Sequence, residues 1–182
     1  MRCLCVVAVA LICSACWAGD KVRIVIEAES AAKIVSPLVV SDLEDASGGK
    51  CVKVPTGRNA GVPEPAPNAR ASFRVRIPHD GTYRVWGRWQ VRGAICNAHW
   101  MTVDVDEVGP EADIISASAY APLRWSKAKR THALTAGEHT IRVHRFATGV
   151  EFDQILITND IRYMPSRAMK ETPEYVVPPE PD

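Results

Sequence analysis

Two carboxylates stand near the start of the chain with a spacing that invites chemistry. In "VRIVIEAES", Glu27 and Glu29 close an alternating apolar run, two residues apart. On a strand they would share a face, roughly 6–7 Å apart. Such a pair is neutralised either by water at a solvated sheet edge or by a hard cation. More than a hundred residues later, "EFDQILIT" carries a further carboxylate, Asp153, in another alternating run. Asp104 and Asp106 in "HWMTVDVD" form a second pair, reading as the solvated face of a strand.

Other chemistries find little support. There is no Gly-x-Ser-x-Gly elbow and no phosphate-cradling glycine loop ahead of a helix. The five histidines lack His-x-x-x-His spacing and Cys-x-x-Cys partners, so they read as strand-face residues rather than a zinc centre. The sequence reads as that of a non-enzyme. The outward arginines Arg74, Arg76, Arg84, Arg88 and Arg142 read as an ion-paired outer sheet face; a basic strip for uronate or sulfated sugars is the alternative.

Aromatic residues offer a different chemistry. A pyranose ring stacks its C–H bonds on an aromatic face while polar rim residues take its hydroxyls. Trp89 alternates with Tyr83 and Val85 and is expected in the core. Trp86 and Trp100 fall on the polar faces of their strands. Trp125, in "YAPLRWSKAKR", lies in a polar stretch between strands and is the expected exposed platform.

The elements that must position these groups are strands. After Gly19 the pattern has period two almost everywhere, as in "SFRVRIP", where Phe73, Val75 and Ile77 share a face. "HDG" turns that strand into "TYRVWGRWQVR", and about eight or nine short strands follow one another between turn signals. That spacing predicts an all-β, antiparallel sandwich or jelly roll. A Pro/Gly/Asn loop spans Thr56–Arg70.

The ends read differently. "MRCLCVVAVALICSACWAGD" has a basic residue, an apolar run and small residues, as an export signal does, with cleavage expected after Ala18. Lipidation at Cys16 is the alternative. Removing residues 1–18 leaves 21 basic against 21 acidic residues, a balance that favours neither nucleic acid nor an anionic membrane surface. The mature domain is expected over 19–160, secreted or held in the cell envelope, with no transmembrane segment and with a Pro-rich tail over 161–182. Two cysteines remain, Cys51 and Cys96, expected as a disulfide, with two buried free thiols as the alternative.

"IEAES", "ASGGKCVKV", "FRVRIPHDGTYRVWGRW", "HTIRVHR" and "EFDQILITND" occur in that order over roughly 22–160. Together they resemble carbohydrate-binding modules of families 6 and 35, in the galactose-binding-like superfamily. The resemblance implies a non-catalytic jelly roll that binds polysaccharide and holds a structural Ca²⁺. It places the ion on Glu27, Glu29 and Asp153, with a backbone carbonyl near Lys50; calcium takes about six to eight such oxygens. The sugar-binding tryptophan maps to Trp125. The aromatic after the Gly-Gly turn maps to Val54 and the sugar-binding asparagine to Glu151, so Asn97, Tyr120 and Arg58 stand as substitute loop contacts. Partners are then a glycan and a separate glycan-active enzyme or envelope protein. A structural or adhesion domain without glycan binding is one alternative function. A small glycan-active enzyme using Asp104 and Glu151 is the other.

Overall fold

The computed structural model describes residues 20–55, 69–92, 98–116, 121–144, 146 and 148–179. Within them the chain forms twelve strands and no α-helix. They are β1 (Arg23–Glu27), β2 (Lys33–Val35), β3 (Val39–Asp42), β4 (Lys50–Lys53), β5 (Arg70–Ile77), β6 (Gly81–Val91), β7 (Ala98–Val103), β8 (Asp113–Ser116), β9 (Ala121–Lys127), β10 (His132–Leu134), β11 (Gly137–His144) and β12 (Val150–Thr158). The β-sandwich is as expected, while the strand count exceeds eight or nine because several strands are three or four residues long.

The first sheet has seven strands around the central pair β6 and β12, which run antiparallel along nearly their whole length. Each flank of that pair carries two strands end to end. On the far side of β12 lie β4, opposite Glu151 and Phe152, and β1, opposite Gln154–Thr158; β3 extends β4. On the far side of β6 lie β10 and β9. The second sheet has the order β2-β5-β11-β7-β8.

Alternation decides what each face buries. Tyr83, Val85, Trp89 and Val91 of β6 point inward with Phe152, Ile155 and Ile157 of β12, and meet Phe73, Val75, Ile141 and Val143 of the second sheet. The rings of Phe73, Trp89, Phe146 and Phe152 interlock, with Trp89 and Phe152 centroids 5.5 Å apart. The expected core residue Trp89 is buried with Tyr83 and Val85, and His99 and Met101 of β7 are buried too. The alternation of β7 does not extend to Val105. β7 stops at Val103, Asp104 takes a left-handed φ of 56°, and Val105 is left 53% exposed.

The tail does more than hang from the domain. Through residue 179 it crosses the outer face of the seven-stranded sheet and reaches the second one. The Thr172 N–H donates to the Val25 carbonyl at 3.0 Å, and the Val177 N–H to that of Arg74 at 3.1 Å. Val176 pairs with Val75, covering a stretch of β5 edge that β2 leaves open. Covering an edge removes a template for unwanted strand pairing.

Candidate cation cradle and outer sheet face

The cradle arises where β12 changes partners. Between Phe152 and Gln154 its register with β6 slips, leaving Asp153 as the extra residue of a β-bulge. A bulge re-aims side chains locally, and here three consecutive residues of β12 divide cleanly: Phe152 enters the core while Asp153 and Gln154 bond groups outside it. Across from Gln154, β1 ends at Glu27. Glu29 lies past the strand end, in a 3-10 turn over Ala28–Ser30, and not on the strand as its spacing predicts.

The third wall is the loop between β3 and β4. Its backbone is closed by hydrogen bonds from the Leu43 N–H to the Gly49 carbonyl and from the Ala46 N–H to that of Leu43. The Ser47 N–H donates to Asp153 Oδ1 at 2.7 Å, and its hydroxyl donates to Glu27 Oε1 at 2.8 Å. Gly48 has a φ of 65°, and a Cβ there would come within 3.2 Å of Glu29 Oε1. Glycine meets both the left-handed backbone and the close approach of the carboxylate.

Electrostatically the site is incomplete. Glu27 Oε1 also accepts from Gln154 Nε2 at 2.9 Å, but Glu27 Oε2 and Glu29 Oε2 are buried without a hydrogen-bond partner. Burial pushes the Glu27 carboxyl above its ordinary range, against the hydrogen bonds from Ser47 and Gln154. Glu29 is raised by burial too, and then by the charge of Asp153. Asp153, wholly buried, is pushed up to about 6 by desolvation even though Arg88 donates to its Oδ2. Among the described residues no three His, Cys, Asp or Glu side chains are arranged to hold a metal through side chains alone. Asp153 is turned toward Arg88 and the Ser47 N–H. The chemistry nevertheless fits a hard cation: two buried, unpartnered carboxylate oxygens lie beside a loop that offers backbone carbonyls. Lys50, expected to lend its carbonyl, opens β4 and sends its ammonium toward Asp42 at 3.4 Å.

Glu151, two residues before Asp153, has a different environment. Gln90 and Arg92 donate to its Oε2, Arg92 at 2.7 Å, and Lys53 approaches its Oε1 at 3.5 Å. Burial opposes ionisation there, but the Arg92 and Gln90 hydrogen bonds outweigh it and hold Glu151 below its ordinary value. The carboxylate expected at a sugar site is therefore committed to internal partners. Its supposed catalytic companion Asp104 belongs to the other sheet's β7–β8 turn, where it bonds His139 at 2.6 Å and the Thr140 N–H.

Cys51, on the same outer face as these carboxylates, is a free buried thiol and not half of a bridge. Burial and then the charge of Glu151 push it up to about 11, so it stays protonated. Its expected partner Cys96 lies outside the described residues, as do Asn97, Tyr120 and Arg58, and the export signal of residues 1–18. Among the described residues no helix is long and apolar enough to cross a membrane.

Trp125 is a strand residue. It pairs with Arg88 in the β6–β9 ladder, is half-buried, and donates its indole N–H to the Arg167 carbonyl at 2.8 Å. With Tyr163 and Met169 of the tail it packs on a small apolar cluster of Val25, Trp86 and Leu156. A tryptophan between polar neighbours reads as a loop platform only while the tail that covers it is left out of account. The strand periodicity of Leu123, Trp125 and Lys127, interrupted by the β6–β9 bulge, is too weak to reveal its place.

No family model and no curated protein matches the chain. Solved structures do match. A family 35 carbohydrate-binding module from Clostridium thermocellum superposes with a TM-score of 0.55 at 22% identity, over 73% of this chain and 96% of that one. A module of lichenase 5A from Cellvibrio mixtus, in complex with cellotriose, matches with a TM-score of 0.51 at 22% identity, over 73% and 94%. An exo-β-1,3-galactanase from Phanerochaete chrysosporium matches at 13% identity and a TM-score of 0.56, over 74% of this chain but 28% of its own length. The chain thus has the β-sandwich fold of family 6 and family 35 carbohydrate-binding modules.

Proposed function

We propose that the chain is an exported, non-catalytic carbohydrate-binding module whose β1, β12 and β3–β4 loop are tied together by a structural Ca²⁺. The observation that supports the reading most is the pair of unpartnered buried oxygens on Glu27 and Glu29, set at a strand junction of this particular fold. Burying unpaired carboxylates is costly unless a counter-charge arrives. A cation that binds the folded state alone would return that cost as stability. Lys50 and Asp153 complete the proposed neighbourhood, the first through its backbone and the second as a neighbour whose carboxyl the ion would hold ionised.

Polysaccharide is the proposed ligand because that is what modules of this fold are named for, one of them carrying cellotriose. A separate glycan-active enzyme is the proposed working partner, since matches of this fold also occur within a galactanase and a mannanase. A glycan array probed with the mature chain, with and without calcium, tests the reading. Retention of at least one polysaccharide supports it. Silence across neutral and acidic glycans in both conditions contradicts it.

A further inference from the structure

We propose that the C-terminal tail is a strap whose docking is coupled to cation binding in the cradle, with Gln154 as the joint and Glu171 as the group that responds to charge. The inference rests on the structural-cation reading and goes beyond it, because it concerns a segment outside the strands of the sandwich. The tail runs along the edge of β1 that β12 leaves free. The Val25 N–H donates to Thr172 Oγ1 at 2.8 Å, and the Thr172 N–H donates back to the Val25 carbonyl at 3.0 Å. Two residues further along β1, the Glu27 N–H donates to Glu171 Oε1 at 3.1 Å. The tail is therefore fixed to the backbone of the residue whose carboxylate helps to form the cradle.

Gln154 joins the two. Its side chain is wholly buried. Its Nε2 donates to Glu27 Oε1 at 2.9 Å and to the Met169 carbonyl of the tail at 2.6 Å, while its Oε1 accepts the Met169 N–H at 3.1 Å. An amide nitrogen carries two hydrogens, so one is committed to the cradle and the other to the tail. Undocking the tail would leave a buried donor and a buried acceptor on Gln154 without partners, which is costly. Because the amide is planar, the position of the Glu27 carboxylate sets the orientation in which Gln154 holds Met169. Fixing that carboxylate therefore fixes the seat of the tail.

Charge supplies a second link. Docking brings Glu171 to the rim of the cradle. After burial, and after the charges of Glu29 on Glu27 and of Asp153 on Glu29, the charge of Glu171 pushes both glutamates up. With Asp153 this gathers four carboxylates around the guanidinium of Arg88 and the more distant Lys50. Without a cation the tail docks against like charge; with one, the same carboxylate is attracted. Cation binding and tail docking then favour each other by the same factor.

Amide hydrogen exchange of the full mature chain, read residue by residue by NMR in excess calcium and in EDTA, tests the coupling. Local opening of the tail governs exchange at the Met169 and Thr172 amides, so a cation that stabilised the sandwich alone would leave their rates unchanged. The expected result is that both slow roughly fivefold or more in calcium, the lower end of typical coupling. Glu171→Gln keeps an acceptor for the Glu27 N–H and removes the charge. In EDTA its Met169 and Thr172 amides should exchange more slowly than those of the native chain, and calcium should slow them less. Calorimetry on the same samples reports whether calcium binds. Calcium that binds while both amides keep their rates would overturn the strap and leave the cation reading standing. So would a full calcium effect in Glu171→Gln, or a slowing that NaCl of equal ionic strength reproduces, which would be screening alone. If no calcium binds, both readings fall.

Discussion

Glu151 and Asp153 are buried carboxylates separated by a single residue of β12, and Asp153 is joined by the partly buried Glu27 and Glu29; the two places are treated oppositely. Glu151 is surrounded by Arg92, Lys53 and Gln90, and its acidity is strengthened. Glu27, Glu29 and Asp153 draw on Arg88, Ser47 and Gln154, with the Glu29 backbone and the more distant Lys50 helping Glu29, and all three are still pushed toward the protonated form. Burial is common to both groups. Compensation separates them: the chain supplies counter-charges to Glu151 and fewer to the cradle, which on the proposed reading a cation completes. A self-sufficient carboxylate is structural by itself, whereas an under-compensated one is a candidate place for a cation.

The largest expected effect comes from supplying that cation. At calcium a hundredfold above its dissociation constant, linkage gives about 2.7 kcal/mol, or roughly 5–10 °C in Tm for a chain of this size. Differential scanning fluorimetry with calcium and then EDTA measures it. Equal melting in both would erase the distinction between the two groups.

Substitution at Glu151 should come next and should ignore calcium. Glu151→Gln keeps an acceptor oxygen but removes the charge paired with Arg92 and Lys53, costing about 1 kcal/mol, equally in calcium and in EDTA. Glu29→Gln should behave in the opposite sense. In EDTA it melts no lower than the native chain, because it removes an unpartnered charge, and in calcium it loses the gain. A Glu29→Gln protein that is destabilised in EDTA would show that the glutamate is already compensated internally.

The smallest effect is in pH. A carboxyl with a raised folded-state pKa disfavours the native state as it ionises. For Asp153, that cost is absent below its unfolded value near 3.8 and complete above about 6. Glu151, with a lowered value, adds stability above its unfolded pKa of 4.5 and loses it as pH falls. In EDTA the native chain should therefore melt slightly higher at pH 5 than at pH 7.5, and the order should reverse in calcium. Thermal melts across that range decide it, and a calcium-free optimum near pH 7.5 would go against the account.

Much of this architecture is legible in the sequence because strand alternation is local. Tyr83, Val85 and Trp89 announce a core face, whereas the meeting of first and last strands is implied only by the resemblance that places Glu27 and Asp153 at one ion. What escapes is set by irregularity and distance. A bulge adds one residue without breaking the apolar pattern, so nothing marks Asp153 as the point where β12 exchanges β4 for β1. Glu29 leaves the strand through a 3-10 turn that composition does not signal. The tail is hidden most deeply: its anchors, Gln154 to Met169 and Val25 to Thr172, join side chains and backbone far apart in the chain. Trp125 looks exposed in sequence because the segment that covers it begins nearly forty residues later.

The central claim is that the cradle of Glu27, Glu29 and Asp153 is completed by a hard cation, and calorimetric titration of calcium into EDTA-stripped, dialysed protein tests it most directly. The account predicts one saturable site per chain that Glu29→Gln abolishes and Glu151→Gln leaves intact. Absence of binding heat, or a site that survives Glu29→Gln, would contradict it.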